Sequence, residues 1–283
     1  MKQDKLQAIL LGVAQDAGVP QVGCLCKNCN LARKDNGQRQ LVTCVGLVDR
    51  TVGKSWLLDC TPDFRQQIDI LTKFAPDCNL AGILITHAHI GHYLGLAHLG
   101  KEAMDAQLMP VYVSDRMGQF LESNAPWDQL VERQNIDIVR IESGISVDFS
   151  AGISIEAVLV PHRQDYTDTF AFVVRGSNNN LFYCPDIDDW DDWHHDLKEF
   201  VDEVDIALLD GTFCDEDELS GRDMNEVSHP IVMNTIERLG DTHCDVRLVH
   251  LNHTNILFAK DCEYRMLRKY GVKVGNTGDL WSL

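Results

Sequence analysis

The chain has no apolar run of about 18 residues, which excludes a membrane-crossing helix. The start, MKQDKL, has no apolar leader stretch. It runs straight into the strand-like segment Gln7–Val13, so a cytoplasmic protein is expected. Clustered Lys and Arg are also missing. Twenty-five basic residues stand against 43 acidic ones, a formal net charge of −18. Nucleic acid is therefore not the favoured partner, because phosphate backbones are held by basic patches. There is no internal repeat, low-complexity tract or Pro/Gly/Ser-rich linker, and the 283 residues are read as one domain, 1–283. The expected partner is a small molecule, with neither nucleic acid nor membrane involved. An anionic substrate stays admissible, because a bound metal can dominate the local field. A homodimer is left open.

Cysteine, by contrast, is abundant at ten residues. Disulfides do not persist in a reducing compartment, so burial or metal binding must account for them. Cys44, Cys60, Cys78, Cys184, Cys214, Cys244 and Cys262 are scattered singly and read as small buried apolar side chains. Cys24, Cys26 and Cys29 form Cys-x-Cys-x-x-Cys, a spacing that lets three thiolates meet one ion. A structural zinc site wants four ligands, so a fourth must come from elsewhere in the chain.

Apolar strand candidates recur at Ala8–Val13, Thr43–Val48, Ser55–Asp59, Gly82–Thr86, Val111–Val113, Ile136–Ile141, Ile153–Val160, Thr169–Val174, Leu181–Cys184, Ile206–Leu209 and Val246–Leu251. Helical patterns fall at Pro62–Phe74, His92–Met104, Met117–Asn124, Trp190–Glu203, His229–Leu239 and Lys260–Tyr270. Strands outnumber helices and helices occur in both halves, which suits an α/β fold of two sheets with helices outside. Chemistry-bearing residues sit at or just after the strand ends: His87, His162, Asp186, Asp210 and His250. Polar residues at strand ends gather along one rim of a sheet, where loops build sites.

The densest signal is Thr86-His87-Ala88-His89-Ile90-Gly91-His92. Neutral imidazole is the usual nitrogen ligand for zinc and similar ions, and alternate spacing puts His87 and His89 on one side of an extended turn. The competing reading is three solvated or capping histidines.

This segment resembles the His-x-His-x-Asp-His signature of the metallo-β-lactamase superfamily. The order of later motifs matches too: Leu57-Leu58-Asp59 ahead of the signature, then Val160-Pro161-His162, Tyr183-Cys184-Pro185-Asp186 and Leu248-Val249-His250. The resemblance implies an αββα sandwich of two mixed sheets with helices on the outer faces. It implies metal ligation by His87, His89, His92, His162, Asp186 and His250. Within the superfamily, Gly23-Cys24-Leu25-Cys26-Lys27-Asn28-Cys29, Thr61-Pro62-Asp63-Phe64-Arg65 and Leu209-Asp210-Gly211-Thr212-Phe213 are similar to the pyrroloquinoline quinone biosynthesis B family. That family typically has another residue in place of His89. The phosphonate-pathway cyclic phosphodiesterases and ribonuclease Z are more distant relatives, sharing the Asp210–Phe213 segment and the loop histidine His229. The cyclic phosphodiesterase likeness makes His253 the fourth ligand of a structural zinc at Cys24, Cys26 and Cys29. The alternative is that His253 joins the catalytic metal and the cysteines stay free.

On this reading the chain is a hydrolase. Zinc is expected at the catalytic site, with manganese or iron left open there. A metal-activated water would attack a small phosphodiester or other ester. Asp186 would bridge two metals or orient the water. His229 would contact the substrate oxyanion or protonate the leaving group, with Asp210 orienting it; the plain alternatives are a surface histidine and a turn residue. The signature aspartate is replaced by Gly91, which leaves a second ion at most His92, His250 and Asp186, and so a weaker site. Gly91→Asp should then raise its occupancy, given room. The acidic, Trp-bearing stretch Asp186–Trp193 forms either a wall of the site or a solvated loop. The competing functions are a metal-dependent oxygenase of a cofactor pathway and a non-catalytic binding protein.

Overall fold

The computed structural model describes residues 4–219, 228–258 and 264–283. Among these, fourteen strands follow in chain order: β1 (Leu6–Gly12), β2 (Cys44–Asp49), β3 (Lys54–Leu58), β4 (Asn79–Leu84), β5 (Met109–Val113), β6 (Ile136–Arg140), β7 (Ser146–Ser150), β8 (Ile153–Val160), β9 (Thr169–Arg175), β10 (Asn180–Cys184), β11 (Ile206–Asp210), β12 (Asp245–Val249), β13 (Lys273–Val274) and β14 (Leu280–Ser282). They form two seven-stranded mixed sheets, ordered β14-β1-β2-β3-β4-β5-β6 and β13-β12-β11-β10-β9-β8-β7. No helix among the described residues is long and apolar enough to cross a membrane.

The two-residue period of the strands makes three apolar layers. Ala8, Leu10, Leu47 and Leu58 of the first sheet meet Ile155, Phe172, Leu181 and Leu208 of the second in a shared central core. The alternate residues Ile9, Leu11, Leu57 and Ile83 face outward, under the helix Phe64–Phe74 and its neighbours. On the second sheet, Val173, Phe182, Ala207 and Leu209 pack under the helices Leu197–Asp202 and Val232–Leu239. This is the αββα sandwich that the sequence led us to expect.

Three strands were not foreseen: β7, β13 and β14. All are sheet edges. An edge strand is paired on one side only and natural ones are short or polar, so its apolar pattern is weak. Ser146-Val147-Asp148-Phe149-Ser150 buries neither apolar residue fully. The helix expected over His92–Met104 is instead a turn of helix, Ile90–Tyr93, and a 3-10 segment, Leu94–Leu99. Gly95 is in close contact there, since a Cβ on it would lie 2.3 Å from the Thr61 carbonyl oxygen. The Trp190–Glu203 helix begins only at Leu197, where the Asp196 carboxylate accepts from Glu199 N at 2.9 Å. Helices at Lys27–Lys34 and Trp127–Glu132 were missed. The start of the expected Lys260–Tyr270 helix, and Cys262, lie outside the described residues; Tyr264–Lys269 is helical. Cys44, Cys60, Cys184, Cys214 and Cys244 are buried, as read from sequence, whereas Cys78 is half-buried.

The C-terminal ends of β3, β4, β10, β11 and β12, with the end of β8, open onto one rim. Asp59, His87, Asp186, Asp210, His250 and His162 stand there. Asp59 and His250 take left-handed backbone conformations, φ 69° and 60°. Asp and His are among the side chains that tolerate this region, and the turn swings each out of its strand into the rim.

Candidate metal centre

His87, His89, His162 and Asp186 bring one ligand atom each within 4.8 Å of the others. His87 Nε2 lies 2.8 Å from His89 Nδ1, and His162 Nε2 lies 3.2 Å from the same atom. Asp186 Oδ2 is 3.4 Å from His87 Nε2, and Oδ1 is 3.3 Å from His162 Nε2. Two imidazole nitrogens on one tetrahedral zinc lie roughly 3.3 Å apart, so this donor set fits such an ion.

The ring nitrogens turned away from this point are engaged elsewhere. His87 Nδ1 donates to Thr86 Oγ1 at 3.0 Å, and that hydroxyl donates to Asp59 Oδ1 at 2.9 Å. His92 Nδ1 donates to Asp59 Oδ2 at 2.8 Å. His162 Nδ1 is 2.9 Å from Asp188 Oδ1, at ion-pair distance but without hydrogen-bond geometry. His250 Nδ1 donates to Thr212 Oγ1 at 2.9 Å, and Thr212 donates to Asp210 Oδ1 at 2.7 Å. Such outer contacts fix the tautomer and leave the inner nitrogen bare for a metal. His92 Nε2, His250 Nε2 and Asp186 Oδ1 are buried and have no hydrogen-bond partner. Orphaned buried polar atoms are costly unless something not of the chain satisfies them, and a cation bound between these atoms would do so.

Burial acts to raise the Asp186 carboxyl, but the neighbouring His162, His250 and His229 outweigh it and hold the group well below the usual carboxylate range. Burial, helped by His92, pushes His87 well down, toward the neutral imidazole that a metal requires. His229 goes the other way. Burial disfavours its charge, yet Asp210 and Asp186 pull it up to about 9. Its Nδ1 is 2.8 Å from Asp210 Oδ2 and 3.3 Å from Asp186 Oδ1. Asp210 itself is fully buried, so it orients His229 and Thr212 and cannot itself touch substrate.

A second cluster lies at the base of the same loops. Cys24, Cys26 and Cys29 place their sulfurs 3.3, 3.5 and 3.7 Å from His253 Nδ1. Sulfur and nitrogen on a shared tetrahedral zinc lie roughly 3.5 Å apart, so these four residues could hold one. Backbone N–H groups of Cys26, Cys29 and Gln21 point at the Cys24, Cys26 and Cys29 sulfurs respectively. His253 thus sits with the cysteines, away from the histidine cluster.

Trp190 and Trp193 belong to the core, with their indole N–H groups donating to Thr235 Oγ1 and the Leu159 carbonyl. Beyond Asp186 itself, that stretch meets the site at Asp188, beside His162 Nδ1, and at Ile187, whose N–H donates to Asp210 Oδ2 at 3.2 Å. The room on which Gly91→Asp was conditional does not exist. A Cβ there would fall 2.0 Å from Asp16 Oδ1 and 2.7 Å from Asp16 Cα. Gly91→Asp therefore has no cavity to enter. Sequence reading missed Asp16 altogether, and with it the roles of Asp59, Thr86, Asp188 and Thr212. Asp59 alone carried a signal, its place ahead of the signature.

Residues 55–253 match the family model described as "Beta-lactamase superfamily domain". Coenzyme PQQ synthesis protein B of Methylococcus capsulatus is 25% identical over 302 residues, spanning 95% of this chain and 97% of its own. The zinc-bound PqqB structure from Methylobacterium extorquens superposes with a TM-score of 0.82 at 22% identity, covering 98% of this chain and 100% of that one. A diphosphatase of the PhnP family gives a TM-score of 0.69 at 20% identity, covering 98% and 96%. The matched segment carries every histidine of the rim together with Asp186 and Asp210, and the chain belongs to the beta-lactamase superfamily, in its metallo-β-lactamase fold.

Proposed function

We propose that the chain is a metal-dependent hydrolase of a small phosphodiester or related ester. The observation that carries this reading is the convergence on Asp186 of two different arrangements. On one side are the three inner nitrogens of His87, His89 and His162; on the other is the His229 imidazole, backed by Asp210. His87, His89, His162 and Asp186 would hold the metal. A divalent ion held there supplies Lewis acidity and brings the pKa of its water to about 7. Asp186, kept ionised, orients the attacking water. His229, favoured in its charged form by Asp210 and with Nδ1 committed to that carboxylate, would have Nε2–H to give to the developing oxyanion or the leaving oxygen.

Beside His89 opens a cleft of about 480 Å³. Tyr93, Phe120, Trp127 and Tyr166 supply aromatic wall, while Arg163 stands 3.5 Å from the carboxylate of Asp165 and Asp16 also lines the cleft. That lining suits an ester with a planar or apolar portion. Zinc is the proposed occupant of both the cysteine and the histidine clusters, and a cytoplasmic location is proposed with them. The test is metal analysis of purified protein together with a panel of phosphodiesters, lactones and thioesters. Hydrolysis that needs no metal, or that survives His87→Ala undiminished, would overturn the reading.

A second reading has one observation in its favour: relatives named for PQQ synthesis match along nearly their whole length. It makes the chain a metal-dependent oxygenase of a cofactor pathway. Iron at the histidine cluster and turnover that requires oxygen and a reductant would favour it; undiminished anaerobic hydrolysis would exclude it.

A further inference from the structure

We propose that Asp16 is a ligand to a second metal ion, supplying from the N-terminal loop the carboxylate that the family signature places at position 91. The inference rests on the reading of the histidine cluster as a metal centre.

Asp16 Oδ1 lies 3.5 Å from His92 Nε2 and 3.7 Å from His250 Nε2. Asp186 Oδ2 lies 3.3 and 3.5 Å from the same two nitrogens. Asp16, His92 and His250 thus bring one donor atom each within 4.8 Å of the others, and Asp186 Oδ2 faces the same two imidazoles. Asp16 Oδ1, His92 Nε2 and His250 Nε2 are each buried and each without a hydrogen-bond partner. A shared cation would satisfy all three of these atoms at once.

The loop is built to hold the carboxylate in place. Gln15 N donates to the Leu251 carbonyl and Leu251 N to the Val13 carbonyl, both at 2.9 Å, immediately after His250. The strands' exit loops that bear Asp16 and His250 are therefore zipped together through their backbones. Gly18, at φ +65°, closes the turn with its N–H on the Gln15 carbonyl at 2.8 Å. The approach of Asp16 also explains Gly91, because any side chain there collides with the Asp16 carboxylate and backbone. The missing signature aspartate and the presence of Asp16 are thus one feature. Asp16 thus adds a carboxylate to His92, His250 and Asp186, the three ligands that the sequence alone allowed a second ion.

The test is metal stoichiometry and zinc titration of the full chain, comparing wild type, Asp16→Ala and Asp16→Asn. Cobalt-substituted samples report on whether two ions lie side by side. The expected wild type holds two ions at the centre beyond the cysteine-bound one. Both variants lose one ion and the coupled cobalt signature. Affinity falls by more than the roughly 10–100-fold that loss of an outer partner costs. Asp16→Asn preserves side-chain volume, so its loss is not a packing effect. Equal occupancy in wild type and both variants would overturn the role of Asp16 while leaving the first metal standing. A wild type with no ion at the histidines would overturn both readings together.

Discussion

The carboxylate of Asp59 and the imidazole of His92 meet at 2.8 Å with neither side chain exposed to solvent. The same carboxylate accepts from Thr86 N and Oγ1 at 2.9 Å and from the Tyr183 hydroxyl at 3.0 Å. Asp59 therefore steadies His92 directly and His87 through Thr86, one residue holding both halves of the centre. Asp59→Asn keeps a side chain that tolerates the left-handed backbone, but its NH₂ faces groups that are themselves donors. It is expected to lower metal affinity about 10–100-fold, read by chelator competition. Unchanged affinity would show that Asp59 serves the fold alone.

The cysteine cluster joins the helix Lys27–Lys34 to the loop just beyond His250, and Asn28 adds hydrogen bonds to the His253 and Asn255 carbonyls at 3.1 and 2.9 Å. Binding free energy at such a site is folding free energy. Cys26→Ser is expected to lose one zinc per chain and to lower the melting temperature, while the histidine ligands stay chemically intact. Zinc content by elemental analysis and a thermal melt check this. Full zinc content in the variant would mean that the cysteines hold no ion.

Gly91 and Asp16 make a further expectation concrete. Gly91 has no left-handed backbone, so its substitution costs only space. Space is what is lacking, because a Cβ meets backbone at 2.7 Å and not just the movable end of a side chain. Gly91→Ala is expected to destabilise by about 1–3 kcal/mol, the usual cost of overpacking. It should also lower second-ion occupancy by displacing Asp16. A melt and a metal count at native stability would refute the close approach.

The central strands were legible because a strand buried on both faces reads as an unbroken apolar run, as in Ile206-Ala207-Leu208-Leu209. The edges β7, β13 and β14 carry little such signal. The histidine cluster was legible because His87, His89 and His92 are packed into six residues at a strand end. Asp16 was not, because a lone aspartate in a loop looks like any other until the chain folds it against His250. Thr86 and Thr212 were hidden for a similar reason. Their neighbours in sequence suggest ordinary polar residues, and only the tertiary fold shows each hydroxyl relaying between an imidazole and a buried carboxylate.

His229 offers a test that separates chemistry from structure. Its imidazole is held up to about 9 by Asp210 and Asp186 against the effect of burial. A folded-state pKa above the unfolded value near 6.5 adds stability that is complete below about 6.5 and is lost as pH rises through about 9. Metal-free wild type should accordingly lose stability over that interval, and His229→Gln should flatten the loss; denaturant midpoints across pH measure both. In the metal-loaded protein His229→Gln should retain its ions, since the imidazole contributes to neither proposed ligand set. If the ring acts on the oxyanion or leaving group, kcat should fall about 10²–10⁴-fold. The fall should be smaller for esters whose leaving group needs no proton. A variant with full metal content and undiminished kcat on every ester of the panel would remove His229 from the chemistry and leave it a buried partner of Asp210.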